Sequence, residues 1–141
     1  IRMHAPKQPD LIQRHLTSFG YKVCASPAYL KRFGVPQRAE ELDAHRLIVW
    51  GEFRPPVDPV NWLADAGRRP GAPRRAAVEV NSATGMLRAV QSGLGIAALP
   101  DYMGRELDGL LVVLPELKPP RLDAYFVYPE EMRHSKRVSV F

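Results

Sequence analysis

The chain has 141 residues, 45% of them hydrophobic, which is enough for one ordinary domain with its own core. Its net charge of +5 is compatible with nucleic acid or anionic ligands, but the 20 basic residues are dispersed among 15 acidic ones, so charge alone selects no partner. The sequence has no apolar run of about 18 residues and no signal-peptide pattern, and its one cysteine, Cys24, excludes an internal disulfide or a Cys-based zinc cage; the expectation is a cytoplasmic chain with no membrane partner.

Ile1-Arg2-Met3 reads as the tail of a strand, and Asp10 to Leu16 as a turn leading into an extended segment. Tyr21 to Ala25 has strand character. Ser26-Pro27 then starts a short helix, with serine as N-cap, proline at the first helical position, Tyr29, Leu30 and Phe33 on the apolar side and Gly34 as its stop. Pro36 to Ala44 is expected to be a second short helix. Arg46 to Trp50, RLIVW, is a buried strand by its β-branched and aromatic content. Three prolines between Gly51 and Pro59 make a loop, and Val60 to Leu63 is expected as a short strand. Gly67 to Arg75, GRRPGAPRR, reads as a solvated connection.

Residues 78 to 103, VEVNSATGMLRAVQSGLGIAALPDYM, carry the most information. Val78 and Val80 alternate with Glu79, as in a strand with one buried face. The period then changes. Asn81 and Ser82 are N-cap types, and Met86, Leu87, Val90 and Leu94 recur at helical spacing before Gly93 stops the helix. Gly95 to Leu99 form an uncharged run closed by Pro100. Two strands joined by one helix are most simply parallel neighbours in a layered α/β sheet. Ligands in such sheets sit beyond the carboxyl ends of the strands, where helix N-termini offer free N–H groups and a partial positive charge. Asn81, Ser82, Ala83 and Thr84 stand at that place. Further on, Asp101 is placed to cap a helix through Leu107, and Leu110 to Leu114 and Leu122 to Tyr128 read as strands. Ser135 is placed to cap a helix whose apolar face has only begun, and the cut appearance of both ends points to a fragment of a longer chain.

The blocks ASPAYLKRFGVP, ELDAHRLIVW, VNSATGMLRAVQSGLGIAALPDYM and YFVYPEEMRHSKRVSVF, in this order and spacing, resemble the effector-binding region of LysR-type bacterial transcription regulators across essentially the whole chain. The resemblance implies an α/β fold: a periplasmic-binding-protein-like (type II) lobe with a mixed, mostly parallel sheet flanked by helices. It implies residues 21–128 as the second effector lobe, residues 1–20 as a remnant of the first lobe and a crossover, and residues 129–141 as the other crossover and the start of a helix returning to the first lobe. It further implies a small-molecule effector in an interlobe cleft, contacted by Asn81 to Thr84, flanked by Trp50, Gly51 and Glu52, and faced by Arg2 and His4. The implied partners are a homodimer or homotetramer and DNA, the latter through an N-terminal helix-turn-helix that this chain lacks. The helix start suits a carboxylate or another small anion.

Plainer readings stand beside these. Asn81, Ser82 and Thr84 could serve as helix caps with no ligand, and the apolar face of Met86 to Val90 could serve the core or a subunit contact. Cys24 is expected to be a small buried hydrophobe and the arginines of residues 67–75 a solvated face. His4, His15, His45 and His134 lack metal-ligand spacing, and no cofactor is implied. G-x-S-x-G and the phosphate-loop pattern are absent, and nothing in the sequence pairs Asp58, Asp65 or Glu79 for acid-base work, so no enzyme activity is expected. The competing function on the same two-lobed fold is the solute-binding protein of a transporter.

Overall fold

The structure, a computed structural model, describes residues 1–3, 10–51 and 58–139. The chain divides into two units: Gly20–Pro120, and a second unit made of Ile1–Phe19 with Arg121–Phe141.

The larger unit is a two-faced sheet with helices on both sides. Strand β2 (Tyr21–Ala25) pairs antiparallel with β5 (Ala97–Pro100) on one edge and with β6 (Leu111–Val112) on the other. Strands β3 (Ile48–Trp50) and β4 (Val78–Val80) pair in parallel, and a parallel bridge from Leu47 to Ile96 joins β3 to the β5 side. Strands β3, β4, β5 and β6 thus run one way and β2 the other, so the sheet is mixed as expected. The expected neighbour relation of β4 and β5 is corrected, because β3 lies between them. A helical crossover fixes direction, but local sequence does not say how many strands it steps over.

Alternation along the strands sorts the core into two layers. Val23, Ala25, Leu47, Ile96 and Ala98 face helix α1 (Pro27–Phe33), the 3-10 turn Ala39–Ala44 and the short helix α2 (Trp62–Asp65). Cys24, Ile48, Ala97 and Leu99 face helix α3 (Ala83–Gln91) through Met86, Leu87, Ala89 and Val90, together with Met103 and Leu107 of the 3-10 segment Asp101–Leu107. Met86 to Val90 therefore supply the core. Leu94, assigned to that face in sequence, lies past the helix end and is 41% exposed.

The caps at Ser26 and Gly93 follow the sequence, whereas Asp101 caps no helix: it opens a 3-10 segment, and its carboxylate accepts the Gly20 N–H at 3.0 Å instead. Ser26 Oγ accepts the Tyr29 N–H at 3.2 Å, with Pro27 in the first turn. Gly93 takes φ +75°, where a side chain would be strained, and Gly93 N–H to Val90 O with Leu94 N–H to Ala89 O closes a Schellman end. Other expectations change. The second helix shrinks to the 3-10 turn. Val60 to Leu63 is no strand but part of a 3-10 turn, Asp58–Asn61, running into α2, whose Leu63 and Ala64 are buried. The segment 67–75 is not wholly solvated: Arg74 is buried, and its guanidinium donates to Asp43 Oδ1 (2.6 Å) and to the carbonyls of Ala39, Ala64 and Ala66.

In the second unit β1 (Leu11–Phe19) and β7 (Leu122–Pro129) form an antiparallel ribbon with a bulge between His15 and Thr17, and Arg2 bridges to Tyr125. The extended segment after Asp10 thus runs on to Phe19. Leu122 to Tyr128, assigned in sequence to the larger body, instead pairs with β1, because its ladder partners all lie in residues 11–19. A short helix α4 (Lys136–Ser139) follows Ser135, as expected.

Candidate functional site

Strands β3 and β4 end side by side: Trp50 is in register with Val80, and the Gly51 N–H donates to the Val80 carbonyl at 3.3 Å. Each strand is followed at once by a site residue, Gly51 after β3 and Asn81 after β4. The Asn81 amide oxygen lies directly over Gly51, where a Cβ at that position would run into it. Any side chain at position 51 would have to push the Asn81 amide aside.

Ser82 is the N-cap of α3, its Oγ accepting the Gly85 N–H at 3.0 Å while the Ser82 carbonyl accepts the Met86 N–H. Among the described residues the N–H groups of Ala83 and Thr84 have no partner. Asn81, Ser82 and Thr84 are exposed, and Ala83 is half-buried. The result is a small polar surface with two open backbone donors at the positive end of a helix dipole, beside an amide side chain that covers the buried Gly51 backbone. It can accept an anion or a hydrogen-bonding carbonyl.

Trp50 packs against the α3-side core, and its indole Nε1 is buried without a partner among the described residues. The structure therefore brings together Trp50, Gly51, Asn81, Ser82, Ala83 and Thr84. Arg2 belongs to the other unit, exposed and bonded through its backbone to Tyr125. Glu52 and His4 lie outside the described residues.

Three features were not anticipated. Asn61 bonds the Trp50 backbone with both ends of its amide. A cleft of about 450 Å³ beside it is lined by Trp50, Asn61, Asp65, Arg74, Arg75 and Glu79 among others, which brings Asp65 and Glu79 to one rim together with two arginines. In the ribbon, Ser18 Oγ donates to Asp123 Oδ1 at 2.5 Å, and His15 Nε2 lies 3.0 Å from that hydroxyl and 3.3 Å from the carboxylate. The serine proton points to the carboxylate and not to the imidazole, the wrong order for activating a nucleophile. These bonds, Ser18 first, hold Asp123 below the usual carboxylate range. Cys24 is buried in the α3-side core, and burial pushes its thiol up to about 11.

A mixed sheet covered by helices on both faces, with a polar helix start at its strand ends, fits the lobe of a type II periplasmic-binding-protein-like domain. The LysR substrate binding domain family model matches residues 1–141, and the chain belongs to that family as the effector-binding domain of a LysR-type regulator. It is similar to the uncharacterized HTH-type transcriptional regulator YhjC of Escherichia coli K12, 31% identical over a 153-residue alignment that covers 100% of this chain and 48% of that protein. It is also similar to the regulatory domain of CrgA, a LysR-type regulator from Neisseria meningitidis, at 26% identity and a TM-score of 0.80, covering 99% of this chain and 69% of that one. Full-length LysG from Corynebacterium glutamicum, solved with bound effector Arg, shares the fold at 21% identity and a TM-score of 0.68, covering 98% of this chain and 46% of that one. The chain spans about half the length of the curated relatives it matches. These relatives are transcription regulators, a family that is not one of enzymes, and nothing in them favours the transporter reading. No described helix is long and apolar enough to cross a membrane.

Proposed function

We propose that this domain senses a small molecule at the carboxyl ends of β3 and β4, with Asn81, Ser82, Ala83, Thr84, Trp50 and Gly51 as the contacting residues. The observation that carries the reading is the placement of Asn81 on the buried Gly51 backbone beside the unpartnered N–H groups of Ala83 and Thr84. An acceptor ligand, a carboxylate or another small anion, satisfies those donors and meets the helix dipole.

In the whole cytoplasmic regulator this surface forms one wall of an interlobe cleft, and Glu52, Arg2 and His4 remain candidate contacts. Ligand binding closes the two lobes and shifts the arrangement of a homodimer or homotetramer, which holds DNA through a helix-turn-helix outside this chain. Such a shift requires that the effector bind the closed state more tightly than the open one. Calorimetry on the full-length regulator, screened against small carboxylates, tests the site: affinity should fall when Ser82 and Thr84 become alanine. Equal affinity in parent and variants sinks the assignment.

A further inference from the structure

We infer that Asn61 is a positioning residue for this site, standing in for a strand along the open side of β3 and thereby setting where Trp50 and Gly51 lie. The inference rests on the site reading proposed above.

Asn61 occupies the N-cap position of α2 and is a residue type that usually caps, yet its side chain makes no bond to that helix. Both ends of its amide go to one distant residue: Oδ1 accepts the Trp50 N–H at 2.9 Å, and Nδ2 donates to the Trp50 carbonyl at 2.8 Å. A side-chain amide offers the same donor and acceptor as a backbone unit, so Asn61 presents β3 with what a neighbouring strand would.

Strand geometry shows why β3 needs this. Successive residues of a strand direct their N–H and C=O groups to opposite sides, toward alternate neighbours. Gly51 turns its N–H to β4 through Val80, whereas Ile48 turns its N–H the other way, to the Ile96 carbonyl at 2.9 Å. By that alternation Trp50 also looks toward β5. Among the described residues the pairing of β3 with the β5 side is the single bridge from Leu47 to Ile96, and Trp50 lies beyond it. Asn61 occupies that gap. The last residue of β3 is then held between β4 on one side and a side chain on the other, and Gly51, on which Asn81 rests, follows directly. Any movement of Trp50 is passed to the Gly51–Asn81 contact.

The test uses the full-length regulator with sodium acetate as the simplest carboxylate probe. Asn61→Ala removes both bonds, Asn61→Ser is the fallback if that variant fails to fold, and Leu63→Val perturbs the buried side of the same helix, in the core layer opposite to that of Trp50. In hydrogen exchange, Asn61→Ala should speed the Trp50 and Gly51 amides by about tenfold, the scale of one lost net hydrogen bond, while the amides of β2 and β5 keep their rates. Acetate affinity by calorimetry should weaken by about tenfold in Asn61→Ala and hold in Leu63→Val at a comparable fall in Tm. Unchanged exchange at Trp50 and Gly51 overturns the inference. So does faster exchange with unchanged acetate affinity, if Asn81→Ala does weaken acetate. If neither asparagine variant alters acetate binding, or the parent binds none, the site reading fails, and the exchange result alone decides whether Asn61 holds the strand end.

Discussion

Replacing Arg74 by alanine should be among the most damaging single changes outside the apolar core. The side chain is 4% exposed and donates to Asp43 Oδ1 at 2.6 Å, to the Ala39 carbonyl at 2.9 Å and to the Ala66 carbonyl, with a longer contact to Ala64. It ties the turn Ala39–Ala44 to the end of α2. The ion pair is the smaller part, because Asp43 is 54% exposed and solvent screens it to within about 1 kcal/mol. The carbonyl bonds are the larger part, since bonds to a charged donor are worth about 1.5 to 3 kcal/mol each; the Ala64 carbonyl keeps the Arg74 backbone N–H at 2.9 Å, whereas the half-buried carbonyls of Ala39 and Ala66 lose the guanidinium. Arg74→Ala should therefore cost about 3 to 5 kcal/mol, the range for breaking buried charged networks. At about 2 to 4 °C per kcal/mol for a domain near this size, Tm should drop by roughly 10 °C. Asp43→Ala should cost about 1 kcal/mol, and Arg74→Lys should fall between, because one ammonium cannot reach three carbonyls and a carboxylate at once. Thermal and urea unfolding followed by circular dichroism measures all three. If Arg74→Ala loses no more than about 0.5 kcal/mol, as an ordinary surface arginine would, the staple account is wrong.

Ser82→Ala should lose about 1 kcal/mol of stability with its cap, whereas Thr84→Ala should leave Tm in place, so any shared loss of ligand affinity separates binding from capping. Gly51→Ala should displace the Asn81 side chain and weaken effector binding more than it lowers Tm; a crystal structure with Asn81 unmoved contradicts this. Cys24, 1% exposed and with its thiol near 11, should react with a disulfide reagent at pH 8 at least about a hundredfold more slowly than free glutathione, and a rate near that of glutathione refutes its inert role. His45 contributes a pH dependence of known sign. Burial lowers its pKa below the ordinary 6.5, partly offset by Glu41, and Nδ1 lies 3.0 Å from the Tyr29 hydroxyl, which accepts the Arg46 N–H. The unfolded chain then binds more protons, so this contribution is full above pH 6.5 and is lost as pH falls through the lowered folded value. His45→Gln should flatten Tm against pH in that window, and an unaltered slope argues against it.

Local signals carried the sequence reading. Ser26, Ser82 and Gly93 act within four residues of their partners, so their roles could be read from neighbours alone. Most of the strand content survived for the same reason, as alternation is local. What failed was mostly non-local. Nothing in residues 78–103 says that β3 inserts between β4 and β5, and nothing in Leu122 to Tyr128 says that its partner is β1. Val60-Asn61-Trp62-Leu63 has too few residues to separate a strand from a helical turn by period. Arg74 looked like its solvated neighbours because its acceptors lie at positions 39, 43, 64 and 66, dispersed along the chain.

The site itself left a signal that a local reading can use. Asn81 and Ser82 are adjacent residues of capping type, but one helix has one N-cap position, and Ser82 fills it. The Asn81 side chain is therefore surplus to the helix, and it lies on the Gly51 backbone at the mouth of the parallel strands. Asn61 repeats the pattern, since it sits where a cap belongs and spends its amide on Trp50 instead. A capping-type residue that the helix does not use is free to position something else. Both such residues converge on the carboxyl end of β3, one from each flank, which is why the proposed sensing surface takes in the strand end and not the helix alone.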